Sequence, residues 1–133
     1  MKKFPWLLLA LFATTAHAYS GKELRDDCLA AEEFYAQKKA SDLYQSVKVA
    51  RCVSYLAGFA DSYSISDYLA DKVGVKLNAY CLPDESDLSP RLVRSVLAHL
   101  DRQPPNTPAS TAMLVAGALA NSFPCADPLE PKK

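Results

Sequence analysis

Six side chains in this sequence have the types that thiol or imidazole chemistry requires: Cys28, Cys52, Cys81, Cys125, His99 and, in the N-terminal segment that we expect to be removed, His17. A thiol beside a histidine can be a nucleophile, several together can bind zinc, and paired thiols form disulfides in an oxidising compartment. The sequence contains no Cys-x-x-Cys pair, which argues against a zinc site. His99 falls inside a predicted helix, where a lone histidine is usually structural or exposed. Disulfides are therefore the favoured chemistry.

The spacing of the cysteines predicts which thiols pair. Position 40, midway between Cys28 and Cys52, lies in the polar stretch 37–41, and position 103, midway between Cys81 and Cys125, lies in the helix-breaking stretch 103–106. Residues equidistant from the turn of an antiparallel helix pair lie opposite each other. Of the three possible pairings, only Cys28–Cys52 with Cys81–Cys125 closes both hairpins locally.

The first 18 residues have the pattern of a secretory signal peptide. A basic start at residues 2–3 precedes an apolar run over residues 4–13, and Ala16-His17-Ala18 matches the small-x-small cleavage pattern. The run is too short to span a membrane as a stable helix. We expect cleavage after Ala18 and a single exported domain over residues 19–133, with a frayed tail from about residue 127.

Composition and motifs give no positive case for an enzyme. The chain has 15 basic and 15 acidic residues, so it carries no basic field for nucleic acid or an anionic membrane surface. With only four glycines it shows no glycine-rich phosphate loop. The carboxylate pairs Asp26-Asp27 and Glu32-Glu33 are interpreted as the solvated face of a helix. We therefore expect no catalytic residue, no metal and no cofactor.

Hydrophobic periodicity predicts an all-α bundle of four main helices, arranged as two hairpins. A capping box at Ser20 and Glu23 opens the first helix, Ser89-Pro90 opens the third, and Thr107-Pro108 opens the fourth. The predicted core stripes follow helical spacing. They comprise Leu24, Cys28, Ala31 and Tyr35; Val49, Cys52, Val53, Leu56, Phe59, Ala60 and Tyr63; Leu92, Val93, Val96, Leu97 and Leu100; and Ala109, Ala112, Met113, Ala116, Leu119, Ala120 and Phe123.

The pattern weakens between Ser64 and Tyr80. Ser66-Asp67 could cap a separate short helix through Lys72, and we interpret residues 74–87 as mostly loop. Gly58, inside the second helix, indicates either a close backbone approach or a tolerated helix glycine.

The order of these elements resembles a known family. The segments are Cys52-x-x-Tyr55-x-x-Gly58, then Cys81-Leu82-Pro83, and finally Phe123-Pro124-Cys125. The combination is similar to the Tai-type immunity proteins, and the allied Rap-type, that accompany amidase effectors of bacterial type VI secretion. The likeness covers roughly residues 21–125.

The resemblance implies a periplasmic, helical, disulfide-bonded protein, commonly a homodimer, that obstructs the cleft of a peptidoglycan-cleaving amidase with a protruding loop. Here the segment that best fits this protruding loop is 64–87, because it breaks the helical pattern and carries acidic residues near its C-terminal end. The candidate partner-binding residues are therefore Tyr68, Tyr80, Asp84, Glu85 and Asp87. The alternative function is a general periplasmic stress or chaperone-like helical protein with no dedicated toxin partner.

Overall fold

The computed structural model describes residues 18–104 and 107–126. It contains four helices in the order α1 (Gly21–Gln37), α2 (Leu43–Asp71), α3 (Leu88–Asp101) and α4 (Thr111–Ser122), and the described residues form no strand. The predicted all-α fold is confirmed. The apolar segment 4–13 and the tail from residue 127 lie outside the described residues, so cleavage after Ala18 and the frayed end stay predictions. No helix in the described ranges is long and apolar enough to cross a membrane.

The first helix begins and ends where local chemistry requires. The Ser20 side chain accepts from the backbone of Glu23, and the Glu23 carboxylate accepts from the backbone of Ser20, which completes the predicted capping box. Lys38 ends α1 in a left-handed conformation, with φ of 57°. On the buried face, Leu24 and Cys28 are fully inaccessible to solvent, as the periodicity predicts.

Both predicted disulfides are present. Cys28 and Cys52 join α1 to α2 with a Cα–Cα distance of 5.1 Å, and both residues are fully buried. Cys81 and Cys125 join the segment before α3 to the segment after α4, with a Cα–Cα distance of 4.9 Å. Each bond therefore fastens its own helical hairpin.

The second helix is longer than its sequence pattern indicates. It spans 29 residues and continues unbroken to Asp71, so the expected separate helix capped at Ser66-Asp67 is wrong. The hydroxyl of Ser66 donates to the carbonyl of Ser62 within the same helix, and Ser64 donates likewise to Ala60. The hydroxyls of these serines bind carbonyl oxygens of α2 itself, so they do not cap a new helix.

Two helix starts also differ from prediction. The third helix begins at Leu88, with Pro90 in its first turn, where a missing N–H costs no hydrogen bond. The fourth begins at Thr111 and is capped by Ser110, whose side chain accepts from the backbone N–H of Met113. Thr107 instead donates to the carbonyl of Pro104 in the turn between the helices.

The buried face of α4 was predicted only in part, because Leu119 and Phe123 are buried as expected but most of the predicted stripe is not. Leu114, Val115, Ala118 and Leu119 lie in the core, whereas Met113 is 67% exposed. The helix is apolar on nearly all sides, so periodicity could not identify the packed face. It packs mainly on α3, which leaves its alanine face open.

Gly58 lies on the exposed side of α2, and a Cβ added there would meet no atom within 4 Å. The close backbone approach is therefore wrong, and Gly58 is a tolerated helix glycine.

Candidate partner-binding surface

The segment between α2 and α3, residues 72–87, is a loop fixed at three points. The backbone N–H of Leu77 donates to the carboxylate of Asp67 over 3.3 Å, and that of Ala79 donates to the phenol oxygen of Tyr63 over 2.8 Å. Farther along, the N–H of Cys81 donates to the carbonyl of Phe123, next to the disulfide. The loop is thus tied to α2 at one end and to the end of α4 at the other.

The three acidic candidates lie together at the end of this loop. Asp84, Glu85 and Asp87 are all exposed, and they precede the N-terminus of α3, where negative charge is favourable. Glu85 pairs with Arg91, whose guanidinium also lies 5.4 Å from the centre of the Phe123 ring. The exposed Asp84 and Asp87 form an acidic surface that a positively charged or hydrogen-bond-donating partner can reach.

Tyr68 lies on the final turns of α2 rather than in a loop. Its side chain is 61% exposed, and the Lys72 ammonium lies 4.8 Å from the centre of its ring. A similar arrangement occurs near the start of the same helix, where Lys48 lies 5.2 Å from the ring of Tyr44. Both tyrosines offer large, rigid rings to solvent.

Tyr80 is buried, with 4% of its surface exposed, and so it does not join Tyr68 on the open surface. Its ring stacks on that of Tyr63 with 4.0 Å between ring centres. Burial and, to a smaller extent, the nearby Tyr63 raise the pKa of Tyr80 to about 12. The Tyr80 hydroxyl has no hydrogen-bond partner in ranges 18–104 and 107–126.

A buried carboxylate that pairs with a half-exposed arginine was not predicted from the sequence. Asp27 is 3% exposed, not part of a solvated face. It accepts from Nε of Arg51 over 3.1 Å and from the hydroxyl of Tyr19 over 2.7 Å. Burial and the hydrogen bond to Asp27 raise the pKa of Tyr19. The cluster links Tyr19, two positions before α1, to both helices of the first hairpin, so it stabilises the fold.

The thiol and imidazole groups do not form a catalytic pair. All four cysteines are in disulfides. Burial and, to a smaller extent, the positive charge of Arg102 lower the pKa of His99 below its ordinary value. The imidazole of His99 contacts the side-chain amide of Gln103. Within the described ranges, no group of His, Cys, Asp and Glu side chains is arranged to hold a metal ion.

An apolar groove beside the loop also escaped prediction. It lies between the second half of α2 and the open face of α4, and its volume is about 480 Å³. Phe59, Tyr63, Tyr80, Met113, Ala116 and Ala120 are among its lining residues. Ala116 and Ala120, which the sequence analysis placed in the core stripe of the fourth helix, line this groove instead.

Comparison with known proteins identifies the family. The sequence model of Rap1a immunity proteins matches residues 20–125. That range includes all four helices and both disulfides. No curated protein and no solved structure matches the chain. Since the matched range is most of the sequence, the chain belongs to the Rap1a immunity protein family.

Proposed function

We propose that this protein is a periplasmic immunity protein that binds a peptidoglycan-cleaving amidase effector of type VI secretion and blocks its active-site cleft. The family match over residues 20–125 carries the proposal, because immunity proteins act by binding a toxin. The amidase target follows from the motif resemblance around Cys52, Cys81 and Cys125. We propose that inhibition occurs by binding alone, without hydrolytic activity of the protein itself.

The loop 72–87 and the end of α2 are the proposed contact region. The anchors at Leu77, Ala79 and Cys81 order the loop before any partner arrives. An ordered loop loses less conformational entropy on binding than a flexible one, so more of the contact energy is available for affinity. This supports a loop that enters a cleft as a preformed shape.

The charges of the region support the same role. Asp84 and Asp87 are exposed and can accept hydrogen bonds from donors that line an amidase cleft. Complementary charge also speeds the encounter between two proteins. Tyr68 adds a rigid aromatic surface with a polar tip, a residue type enriched at interfaces.

Export, cleavage after Ala18 and assembly as a homodimer complete the proposal. The protein has two disulfides, and such bonds form and persist in an oxidising compartment such as the periplasm. Ten large hydrophobic side chains are exposed in the described part of the single chain, and an assembly could cover some of them.

The test is protection from lysis in cells that express a cysteine–histidine amidase encoded beside this chain and direct it to the periplasm. The intact protein should prevent lysis. Variants Tyr68→Ala, Asp84→Ala and Asp87→Ala should lose protection while keeping their thermal midpoints. Tyr44→Ala is the matched control for Tyr68, because Tyr44 has the same lysine neighbour four residues on.

Two results would contradict parts of the proposal. Full protection by all three loop-region variants would remove this region from the contact surface. Lysis despite abundant intact protein in the periplasm would reject inhibition of that amidase, and would favour a chaperone-like role.

A further inference from the structure

The side of α2 that points away from the other helices is apolar along most of its length. Positions three or four residues apart share one side of a helix, and on this side every such position from Leu43 to Leu69 is exposed. Val47 and Ile65 lie on it as well, and about half or more of each of these four side chains is exposed. We call this side the outer face of α2. A surface helix normally presents polar residues to water, so an apolar outer face indicates a covered one.

The large apolar side chains of the outer face are placed symmetrically about the level of residue 56. Val47 precedes that level by as many residues as Ile65 follows it, and the same is true of Leu43 and Leu69. In a symmetric pair of antiparallel helices, residues at equal distances from the centre lie at the same level. A second copy of α2 laid antiparallel on the first therefore places each Val47 opposite Ile65 of the other copy.

The two ends of the outer face complement each other in the same arrangement. Tyr44 and Tyr68 lie on opposite edges of the face and are also equidistant from residue 56. A twofold axis keeps each edge of one helix beside the same edge of the other, so Leu69 meets Tyr44 of the second copy and Leu43 meets its Tyr68. One side of each ring packs on a leucine, while the other side stays available to a toxin.

Charge favours the antiparallel arrangement over the parallel one. Arg51 and Asp61, both exposed on the outer face, are equidistant from residue 56, so antiparallel pairing puts unlike charges at one level. Parallel pairing would put each of these residues beside its own copy, and like charges that face each other oppose association. Between them lie the small residues Ser54 and Gly58, which let two helices approach closely. A Cβ added at Gly58 meets no atom of its own chain within 4 Å, so that space is open to a second copy.

We propose that a second copy of this chain covers the outer face of α2, and that the two copies of α2 pair antiparallel across a twofold axis at residue 56. The inference rests on the homodimer of the proposed function, to which it assigns a surface and a register. The face offers about a dozen residues a chain, fewer than the roughly 20–30 of a standard interface. We therefore expect a dimer that dissociates on dilution. Asp84 and Asp87 belong to the loop after α2, so the pairing does not use them.

The test is sedimentation equilibrium of the periplasmically purified protein and its variants over a range of concentrations. Val47→Glu places a negative charge opposite Ile65 of the second copy, and Ile65→Lys places a positive charge opposite its Val47. Both changes replace an exposed β-branched residue of α2 by a better helix former, so the single chain is not weakened. Met113→Glu is the matched control, since Met113 is 67% exposed on α4 and is not part of the outer face.

We expect Val47→Glu and Ile65→Lys each to raise the dissociation constant of the dimer about tenfold or more, and Met113→Glu to change it by less than about twofold. The double variant should associate several-fold more tightly than either single variant, because each new carboxylate then faces a new ammonium of the second copy. The two substituted positions are about 27 Å apart along one helix, so the recovery cannot arise within a single chain.

Three results would overturn the proposal, and each leaves the immunity function to the separate test of protection from lysis. A wild-type protein that is monomeric at about 1 mM would remove the dimer. Unchanged association in Val47→Glu or Ile65→Lys would remove the outer face, and dissociation by Met113→Glu instead would assign the dimer to the groove between α2 and α4. A double variant no tighter than the single ones would reject the antiparallel register, since parallel copies bring like charges together.

Discussion

Arg51 of α2 donates through Nε to the buried carboxylate of Asp27 in α1, over 3.1 Å. The exposure of the two partners differs, because the Asp27 side chain is 4% exposed and that of Arg51 is 49% exposed. Removing the arginine would leave a negative charge in the core that, within ranges 18–104 and 107–126, keeps the hydrogen bond from the Tyr19 hydroxyl alone. This pair is therefore unlike an ordinary surface ion pair.

Arg51→Ala should lower the free energy of unfolding by about 1–3 kcal/mol, because a buried charge loses its partner. Arg25→Ala is the matched control: Arg25 also joins an aspartate on another helix, Asp101, but both side chains are about half exposed. The control should cost less than about 1 kcal/mol. Urea denaturation measures both, and equal losses would mean that the burial of Asp27 has no energetic consequence.

The two disulfides should differ in their resistance to reduction. Cys28 and Cys52 are fully buried, whereas Cys81 is exposed and Cys125 is half-buried. Mild reductant without denaturant, followed by alkylation and mass spectrometry, should label Cys81 and Cys125 first, because a thiolate must reach the sulfur that it attacks. Equal labelling of all four cysteines would show that the native fold opens as a whole under these conditions.

Gly58→Ala should raise the free energy of unfolding by about 0.5–1 kcal/mol, since alanine favours the helix and the added methyl group meets nothing. Gly117→Ala, also within a helix, should give no such gain. There the added Cβ would lie 3.2 Å from the His99 ring. Thermal midpoints of the two variants provide the comparison. A loss of stability in Gly58→Ala would reveal a contact that the single chain does not form.

Alkaline pH should destabilise the fold through Tyr80. Burial raises its folded-state pKa to about 12 from 10.0, so the protonated phenol is favoured in the folded protein. The contribution of the protonated Tyr80 phenol to the free energy of unfolding is complete below pH 10. That contribution is lost as the pH rises toward 12. In the tyrosinate absorbance titration, Tyr80→Phe should remove a late-ionising component and reduce the loss of stability over this range. An unchanged titration curve would contradict the assignment.

Much of the first hairpin could be predicted because its signals are strong and agree. The capping box at Ser20, the apolar spacing of Leu24, Cys28 and Ala31, and the position of Cys52 all indicate the same helix pair. Asp27 was misassigned because a carboxylate next to a second one resembles a polar face. Only its partner Arg51, more than 20 positions away, explains its burial.

The candidate site was harder to predict because tertiary contacts decide it. The sequence gives no sign that Tyr68 and Tyr80 have different environments, yet Tyr68 is exposed and Tyr80 is buried against the ring of Tyr63. Ser64 and Ser66 resembled a break in the helix because the hydrogen bonds of their hydroxyls to carbonyls of the same helix leave no mark in the sequence. The open face of α4 was not predicted because nearly all of that helix is apolar.

Both disulfides connect cysteines that are neighbours in chain order, the first with the second and the third with the fourth. A chain that enters an oxidising compartment with its N-terminus first presents Cys28 and Cys52 before the other two have emerged. An oxidase that joins each new thiol to the one before it would then produce the native pairing directly. Maturation of this protein would require an oxidase but no isomerase to correct wrong pairs.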